Sequence, residues 1–249
     1  MKYQILSYSK NVRKYLIKAF KAISLISLSV FILYSCSPPV YHPNVVNTPL
    51  LSNKHEVNAA VNISVSGFEP QFAYALTDNL GIMANACFNK YSSEESPDYQ
   101  RIILIEGGGG YFGKIGKYGR FESYGGFGYG DNFFYYDNEN NPYTENVPYT
   151  KFFVQGAVGS SLDFFDAGIG PRFVWATVND INGTYTNMYI EPVITVKVGY
   201  KYLKFVVQGG FSFPVEAASP YADARFHQPI LFSFGLQANL NKIYDKTSK

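Results

Sequence analysis

Four charged residues interrupt stretches of small and apolar residues, and their types could form a buried polar site. They are Glu106, Arg172, Glu191 and Lys197. Carboxylates and cations that are confined together change their proton affinity, and such groups can do acid–base or binding chemistry. The commoner arrangement is a set of ion pairs that fills the space, and the sequence allows both.

Catalytic and cofactor motifs are weak. The three histidines, His42, His55 and His227, include no pair at ligand spacing, so the spacing predicts neither a catalytic triad nor a metal site. Gly108–Gly113 matches G-x-G-x-x-G, but the segment that follows is rich in glycine and aromatic residues, where a dinucleotide site needs a helix. We therefore expect no cofactor.

The segment Asp131–Pro148 is the best candidate for ligand binding, and it is predicted to be a long loop. Aromatic side chains beside carboxylates and amides suit contact with a sugar or Ca²⁺, although the D-x-[DN]-x-[DN]-G spacing is missing. The candidate residues are Phe133, Phe134, Tyr135, Tyr136, Asp137 and Glu139. A merely solvated loop would have a similar composition.

Of the two cysteines, Cys36 and Cys87, the first follows a targeting segment. Residues 1–35 carry six basic residues and no acid, and their apolar core is shorter than the ~20 residues of a spanning helix. This predicts a signal peptide. Leu33-Tyr34-Ser35-Cys36 resembles the lipobox of bacterial lipoproteins. The resemblance implies that residues 1–35 are removed and that Cys36 is acylated, which would hold the chain on a membrane.

Apolar and polar residues alternate along most of the chain after residue 54, which places these side chains on strands. Aromatic residues make up 18% of the chain and charged residues only 16%, against about 25% in a typical soluble domain. This composition favours strands over helices. We predict about ten strands, at residues 55–66, 69–77, 80–90, 101–113, 118–130, 149–160, 163–178, 185–200, 202–214 and 227–240.

The connections between these strands alternate between tight turns and longer loops, as in outer-membrane barrels, whose long loops lie outside. The predicted fold class is all-β: a single up-and-down antiparallel transmembrane-type barrel over residues 55–240. An even strand count places both chain ends on the short-turn, periplasmic rim, where a lipid on Cys36 would enter the inner leaflet. Residues 36–54, rich in Pro and Asn, are predicted to be a tether, and residues 241–249 a polar tail.

The polar face of the sheet carries mostly small side chains and amides with a few charges of both signs, which suits a narrow lumen. The apolar face carries aromatic residues near strand ends, as in interfacial girdles. These are Tyr91, Tyr118, Trp175, Tyr185, Tyr200 and Tyr202. The same alternation could close inside out into a soluble lipocalin-like barrel with an apolar cup, and this alternative stays open.

The segments Tyr41–Glu56 and Gln71–Asn79 resemble a group of uncharacterised outer-membrane-type β-barrel lipoproteins. The resemblance covers most of the chain after Cys36. It implies the fold and the location, and it brings no catalytic residues.

The sequence favours a non-enzymatic, lipid-anchored outer-membrane barrel with a structural or surface-binding role in its long loops. Its expected partners are outer-membrane lipid and the machinery for barrel assembly and lipoprotein sorting. Nucleic acid is disfavoured, because removal of the six basic residues of the signal peptide changes the net charge from +2 to −4. The alternatives are a lipocalin-like periplasmic lipoprotein that carries an apolar ligand and a lipid-modifying outer-membrane enzyme.

Overall fold

The computed structural model describes residues 40–92, 96–137, 141–180, 183–215 and 227–241. The predicted signal peptide, Cys36, Glu139 and most of the polar tail lie outside these residues.

Ten strands of the described residues close into one antiparallel barrel, which confirms the predicted fold class. Each strand pairs with the next along the chain, and the last strand closes the ring between the first strand and the ninth. A short two-residue strand, β10, continues β9 beyond Ser212. The bounds are β1 Val57–Ser64, β2 Gly67–Ala75, β3 Leu80–Ser92, β4 Tyr99–Ile115, β5 Gly119–Tyr136, β6 Tyr143–Ser161, β7 Phe165–Asp180, β8 Gly183–Tyr200, β9 Leu203–Phe211, β10 Phe213–Pro214 and β11 Ile230–Asn239.

The outer face of the barrel is apolar, as predicted, and buried charges and amides lie on the inner face. On β4, Ile105 is 61% exposed, whereas the adjacent Glu106 is 3% exposed. Toward the loop rim, the inner face also holds a cluster of buried apolar and aromatic side chains that includes Phe134, Val147 and Val178. A lipocalin-like carrier needs an interior lined throughout by apolar side chains, and the buried charges contradict it. Two aromatic residues predicted for the outer girdles, Tyr91 and Tyr185, lie on the lumen side of their strands. Within the described ranges, no helix is long and apolar enough to cross a membrane.

The two ends of the barrel carry different connections. The turn rim has connections 76–79, 116–118, 162–164 and 201–202. The loop rim has connections 65–66, 93–98, 137–142, 181–182 and 215–229.

Strands extend further toward the loop rim than predicted. The predicted loop Asp131–Pro148 is mostly strand, because β5 continues to Tyr136 and β6 begins at Tyr143. The predicted loop Asn179–Thr184 shrinks to a two-residue connection. Cross-strand aromatic pairs support the extension: the rings of Tyr136 and Tyr143 stack with centroids 4.8 Å apart.

The glycine motif belongs to β4 rather than to a nucleotide-binding loop. A Cβ at Gly110 would lie 2.1 Å from the carbonyl oxygen of Ser123 and 2.7 Å from the ring of Tyr124. Glycine therefore leaves room for the close approach of β5.

The largest departure from the predictions concerns the residues before β1. Val40–Leu51, predicted as part of a tether, lies inside the barrel, and every one of its residues is buried. This segment is termed the plug. Its backbone is irregular, and positive φ angles at Leu50 (51°) and His55 (64°) accompany the turn from the plug into β1.

The plug runs from the loop rim to the turn rim. At its start, Tyr41 forms a parallel bridge with His227, which ends the 215–229 connection. At its end, Leu51 packs against Ala75 and Phe112, close to the turn rim. The described chain therefore begins at the loop rim, and the prediction that both ends lie on the short-turn rim is wrong. Counting strands predicts the rim at which β1 begins, but it does not include the plug, which crosses the lumen before β1.

Candidate functional site

Four charged side chains meet in the lumen around the plug residue Asn44. The Arg172 Nε atom donates to Glu191 Oε2 at 2.6 Å, and Lys151 Nζ lies 2.6 Å from Glu106 Oε2. All four side chains are removed from solvent. Buried charges are costly to desolvate, and they persist only where each one is paired and hydrogen-bonded.

Asn44 connects these charges to the plug. Its Nδ2 atom donates to Glu106 Oε1 at 2.8 Å, and its Oδ1 atom accepts from Lys151 Nζ. Its backbone carbonyl accepts from Arg172 Nη2 at 2.7 Å. One plug residue therefore links side chains from β4, β6 and β7.

Tyr41 fills the lumen above this cluster, toward the loop rim. Its hydroxyl donates to Glu191 Oε1 at 2.8 Å. Its ring stacks on Tyr189 with centroids 4.3 Å apart and meets Tyr149 edge-on at 6.2 Å.

In the middle of the plug, lumen side chains bind the backbone directly. Gln208 accepts from the Val46 N–H and donates to the Val46 carbonyl, both at 2.8 Å. Gln71 donates to the Val45 carbonyl at 2.8 Å, and Glu69 accepts from the Val45 N–H at 2.7 Å. These side chains replace the neighbouring strand that an extended backbone normally needs.

The lower part of the plug is held mainly through its backbone as well. Lys197 Nζ donates to the Thr48 carbonyl at 2.6 Å, and the Leu50 N–H donates to Glu122 Oε2 at 2.8 Å. Gln155 donates to the Asn47 carbonyl at 2.7 Å. The site as a whole holds an extended peptide, and this peptide is the protein's own.

Three of the four predicted lumen charges, Glu106, Arg172 and Glu191, come together in the cluster. Lys197 lies nearer to the turn rim, with Thr48 and Gln237 as its hydrogen-bond partners. Sequence reasoning missed Lys151. The alternation of side chains along β6 could have identified it, because Lys151 lies on the same inward side of the strand as Gln155.

The predicted binding residues occupy the end of β5 rather than a loop. Phe133 and Tyr135 face outward, Phe134 is buried, and Tyr136 stacks on Tyr143. The Asp137 N–H donates to Asp98 Oδ1 at 2.7 Å.

His55 lies at the turn rim, whereas His42 and His227 both lie at the loop rim. His55 meets the Tyr74 hydroxyl at the turn rim, and His42 meets Gln228 at the loop rim. His227 donates from Nε2 to the Ser212 carbonyl, and burial lowers its pKa. Within the described ranges, no group of three or more His, Cys, Asp or Glu side chains is placed to hold a metal ion.

Closed strands, an apolar outer face and a filled polar lumen define a transmembrane-type β-barrel with an internal plug. No family model and no curated protein matches the chain. Among solved structures, the attachment invasion locus protein Ail of Yersinia pestis is similar, with 11% identity and a TM-score of 0.36. The match covers 75% of this chain and 99% of Ail. Membership of a lipoprotein group stays a prediction.

Proposed function

We propose that this protein is a non-enzymatic outer-membrane barrel, anchored by a lipid on Cys36, that acts as a closed structural or binding platform. The observation that carries this proposal is the plug. A lumen that is filled along its length by the chain's own residues offers no passage and no internal ligand site.

The space left beside the plug is small. One pocket, near Pro43, holds about 10 Å³ for the centres of water-sized molecules, and another, near Pro49, holds about 20 Å³. One water needs about 10–15 Å³ by this measure. These volumes suit single waters and are far too small for a lipid or another carried ligand.

The outer surface supports a position in a membrane. Large apolar side chains are exposed at the middle of the strands, including Phe127 at 57% and Ile194 at 56%. Exposed apolar surface of this extent on a soluble monomer would be a liability for aggregation, whereas lipid covers it favourably.

With the lumen filled, the loop rim is the part of the barrel left for external contacts. There, Tyr99 stacks on Tyr135 at 5.2 Å, and Arg101 lies over the ring of Phe133 at 5.2 Å. Half-buried aromatic rings beside the exposed Arg101 on rigid strands suit binding of a surface ligand, and this supports the binding role proposed for Phe133 and Tyr135, whereas Phe134 is buried.

Trp175 allows a direct test of the membrane position. It lies on the outer side of β7 toward the loop rim, with its ring 5.6 Å from that of Phe152. In vesicles with chain-brominated lipids, bromines near the interface should quench its fluorescence strongly. The matched variant W175F/I169W moves the tryptophan six residues toward the turn rim on the outer side of the same strand, and it should respond best to bromines near the chain ends. Blue-shifted emission without quenching in either protein would contradict a spanning barrel.

Planar bilayers test the closed lumen. The full barrel should show no stepwise ion current, and a variant without residues 40–51 supplies the open comparison. Stable current steps from the intact protein would contradict a platform role and indicate a channel.

A further inference from the structure

The direction of the plug determines where any anchor on its N-terminal side can reach. Val40 lies at the loop-rim end of the lumen, where its carbonyl accepts from Asn132 Nδ2 at 2.7 Å. Asn132 is four residues before the end of β5 at that rim. The described chain therefore begins on the loop side of the barrel.

We propose that the acyl chains on Cys36 enter the membrane leaflet at the loop rim, so that the plug links this leaflet to β1 through the lumen. The inference rests on the proposed lipid-anchored spanning barrel. It reverses the leaflet that strand counting alone assigns to the lipid.

Chain length decides between the two leaflets. Three residues lie between Cys36 and Val40, and the four Cα-to-Cα steps from one to the other span at most about 14 Å. The apolar band of an outer-membrane barrel is about 25 Å tall. A lipid on Cys36 cannot cross that band to the leaflet at the turn rim, whereas the leaflet at the loop rim lies within reach.

The hairpin that joins β1 and β2 connects two of the shortest strands of the barrel, with 8 and 9 residues. The Ser66 hydroxyl, at the tip of this hairpin, donates to the Pro43 carbonyl at 2.8 Å. The tip therefore stands level with Pro43, three residues into the plug from Val40, and Val40 lies beyond this edge on the loop side.

The outer surface below this edge is apolar and exposed. Val65, Phe68 and Phe232 are each 44–51% exposed there. The Val65 N–H donates to the Phe232 carbonyl, which joins the hairpin to β11. Acyl chains that pass over this edge meet a surface that already suits lipid.

Thiol labelling in cells tests the inference with the full chain and its own signal segment. In a C87S background, a single cysteine replaces Pro38, Asn141 in a loop-rim connection, or Lys117 in a turn-rim connection, so the distance from Cys36 to Val40 along the chain stays unchanged. A membrane-impermeant maleimide is added to intact cells and to cells with a permeabilised outer membrane. P38C and N141C should be labelled to the same extent in intact cells, and K117C only after permeabilisation.

The outcomes separate the two proposals. If P38C is labelled together with K117C and apart from N141C, the barrel spans the membrane but the leaflet inference is wrong. If N141C and K117C behave alike, the spanning barrel fails and this inference fails with it. Mass spectrometry of the N-terminal peptide must show an acylated Cys36, and C36S is the matched control. An N-terminal peptide without acyl chains overturns the anchor itself.

Discussion

The upper half of the plug, Tyr41–Val46, and the lower half, Asn47–Leu51, occupy the same lumen but are held by different chemistry. In the upper half, three buried charges from three strands contact Asn44, and a fourth, Glu191 on β8, pairs with Arg172. In the lower half, backbone groups are bound by single side chains, as Gln155 binds Asn47. The upper half is thus centred on an ionic network, with separate hydrogen bonds only at Val45 and Val46, whereas the lower half is held mainly by separate hydrogen bonds.

The difference indicates how each half should respond to mutation. Removing one member of a buried ionic network leaves a charge without its partner, and the cost spreads to the remaining members. Removing one separate hydrogen bond costs only that bond and the desolvation of the group left behind. The upper half should therefore dominate both stability and closure of the lumen.

The largest effect is expected from Arg172→Met. This change leaves Glu191 buried without its cation and removes a donor to the Asn44 carbonyl. We expect the free energy of unfolding to fall by about 3–5 kcal/mol. Urea unfolding in vesicles, followed by Trp175 fluorescence, measures it. The double variant R172M/E191Q should recover part of the loss, and no recovery would mean that Arg172 acts mainly by filling space.

In the lower half, Lys197→Met should cost less. It leaves the acceptors on Thr48 and Gln237 unpaired, which corresponds to about 1–3 kcal/mol. The same unfolding assay applies. A loss as large as that of Arg172→Met would remove the distinction between the two halves.

Cys87 reports on closure of the upper half. Its side chain is buried, and Sγ lies 3.2 Å from the Ser66 carbonyl near the loop rim. Acylation of Cys36 would leave Cys87 as the single free thiol.

Tyr41→Ala removes the stacked ring over the upper lumen, and maleimide labelling of Cys87 should accelerate about tenfold, equivalent to about 1.4 kcal/mol in local opening. Thr48→Ala is the matched lower-half control and should leave the rate unchanged; equal acceleration in both variants would contradict local opening.

The smallest effect is expected from His227 at the mouth of the upper half. Burial lowers its folded-state pKa, so below pH ~6.5 the unfolded chain takes up a proton that the folded barrel does not. Stability should therefore fall as the pH drops below ~6.5, until the folded-state pKa is reached. His227→Gln should flatten this part of the profile between pH 7.5 and 5.5. Parallel profiles for the two proteins would show that His227 does not contribute.

The strands and their two faces could be predicted from the sequence, because alternation is a local property of each strand. Ile230–Leu240, for example, shows alternation that needs no knowledge of the other strands. The inward position of Glu106, Arg172 and Glu191 follows from the same pattern. The extension of β5 and β6 was missed because an aromatic run followed by acids and amides resembles a loop until the partner strand is known.

The plug could not be predicted from its own residues. Its Pro- and Asn-rich sequence has no periodicity, and a solvated linker would look the same. Its structure depends on partners far along the chain, such as Gln208 for Val46 and Lys151 for Asn44. Evidence for a plug was indirect: the predicted lumen face carried more hydrogen-bonding side chains than the few charges on that face could bind.

The threaded plug has a consequence for the order in which the molecule is assembled. The ring closes when β11, the last strand, pairs with β1, and β1 follows the plug after only five residues. With the proposed lipid on Cys36, the plug could not be drawn lengthwise through a closed and filled ring. The lipid-anchor proposal therefore implies that the plug lies against an open sheet before β11 closes the barrel around it. In that order of assembly, the residues that precede β1 act as a template for the strands that follow.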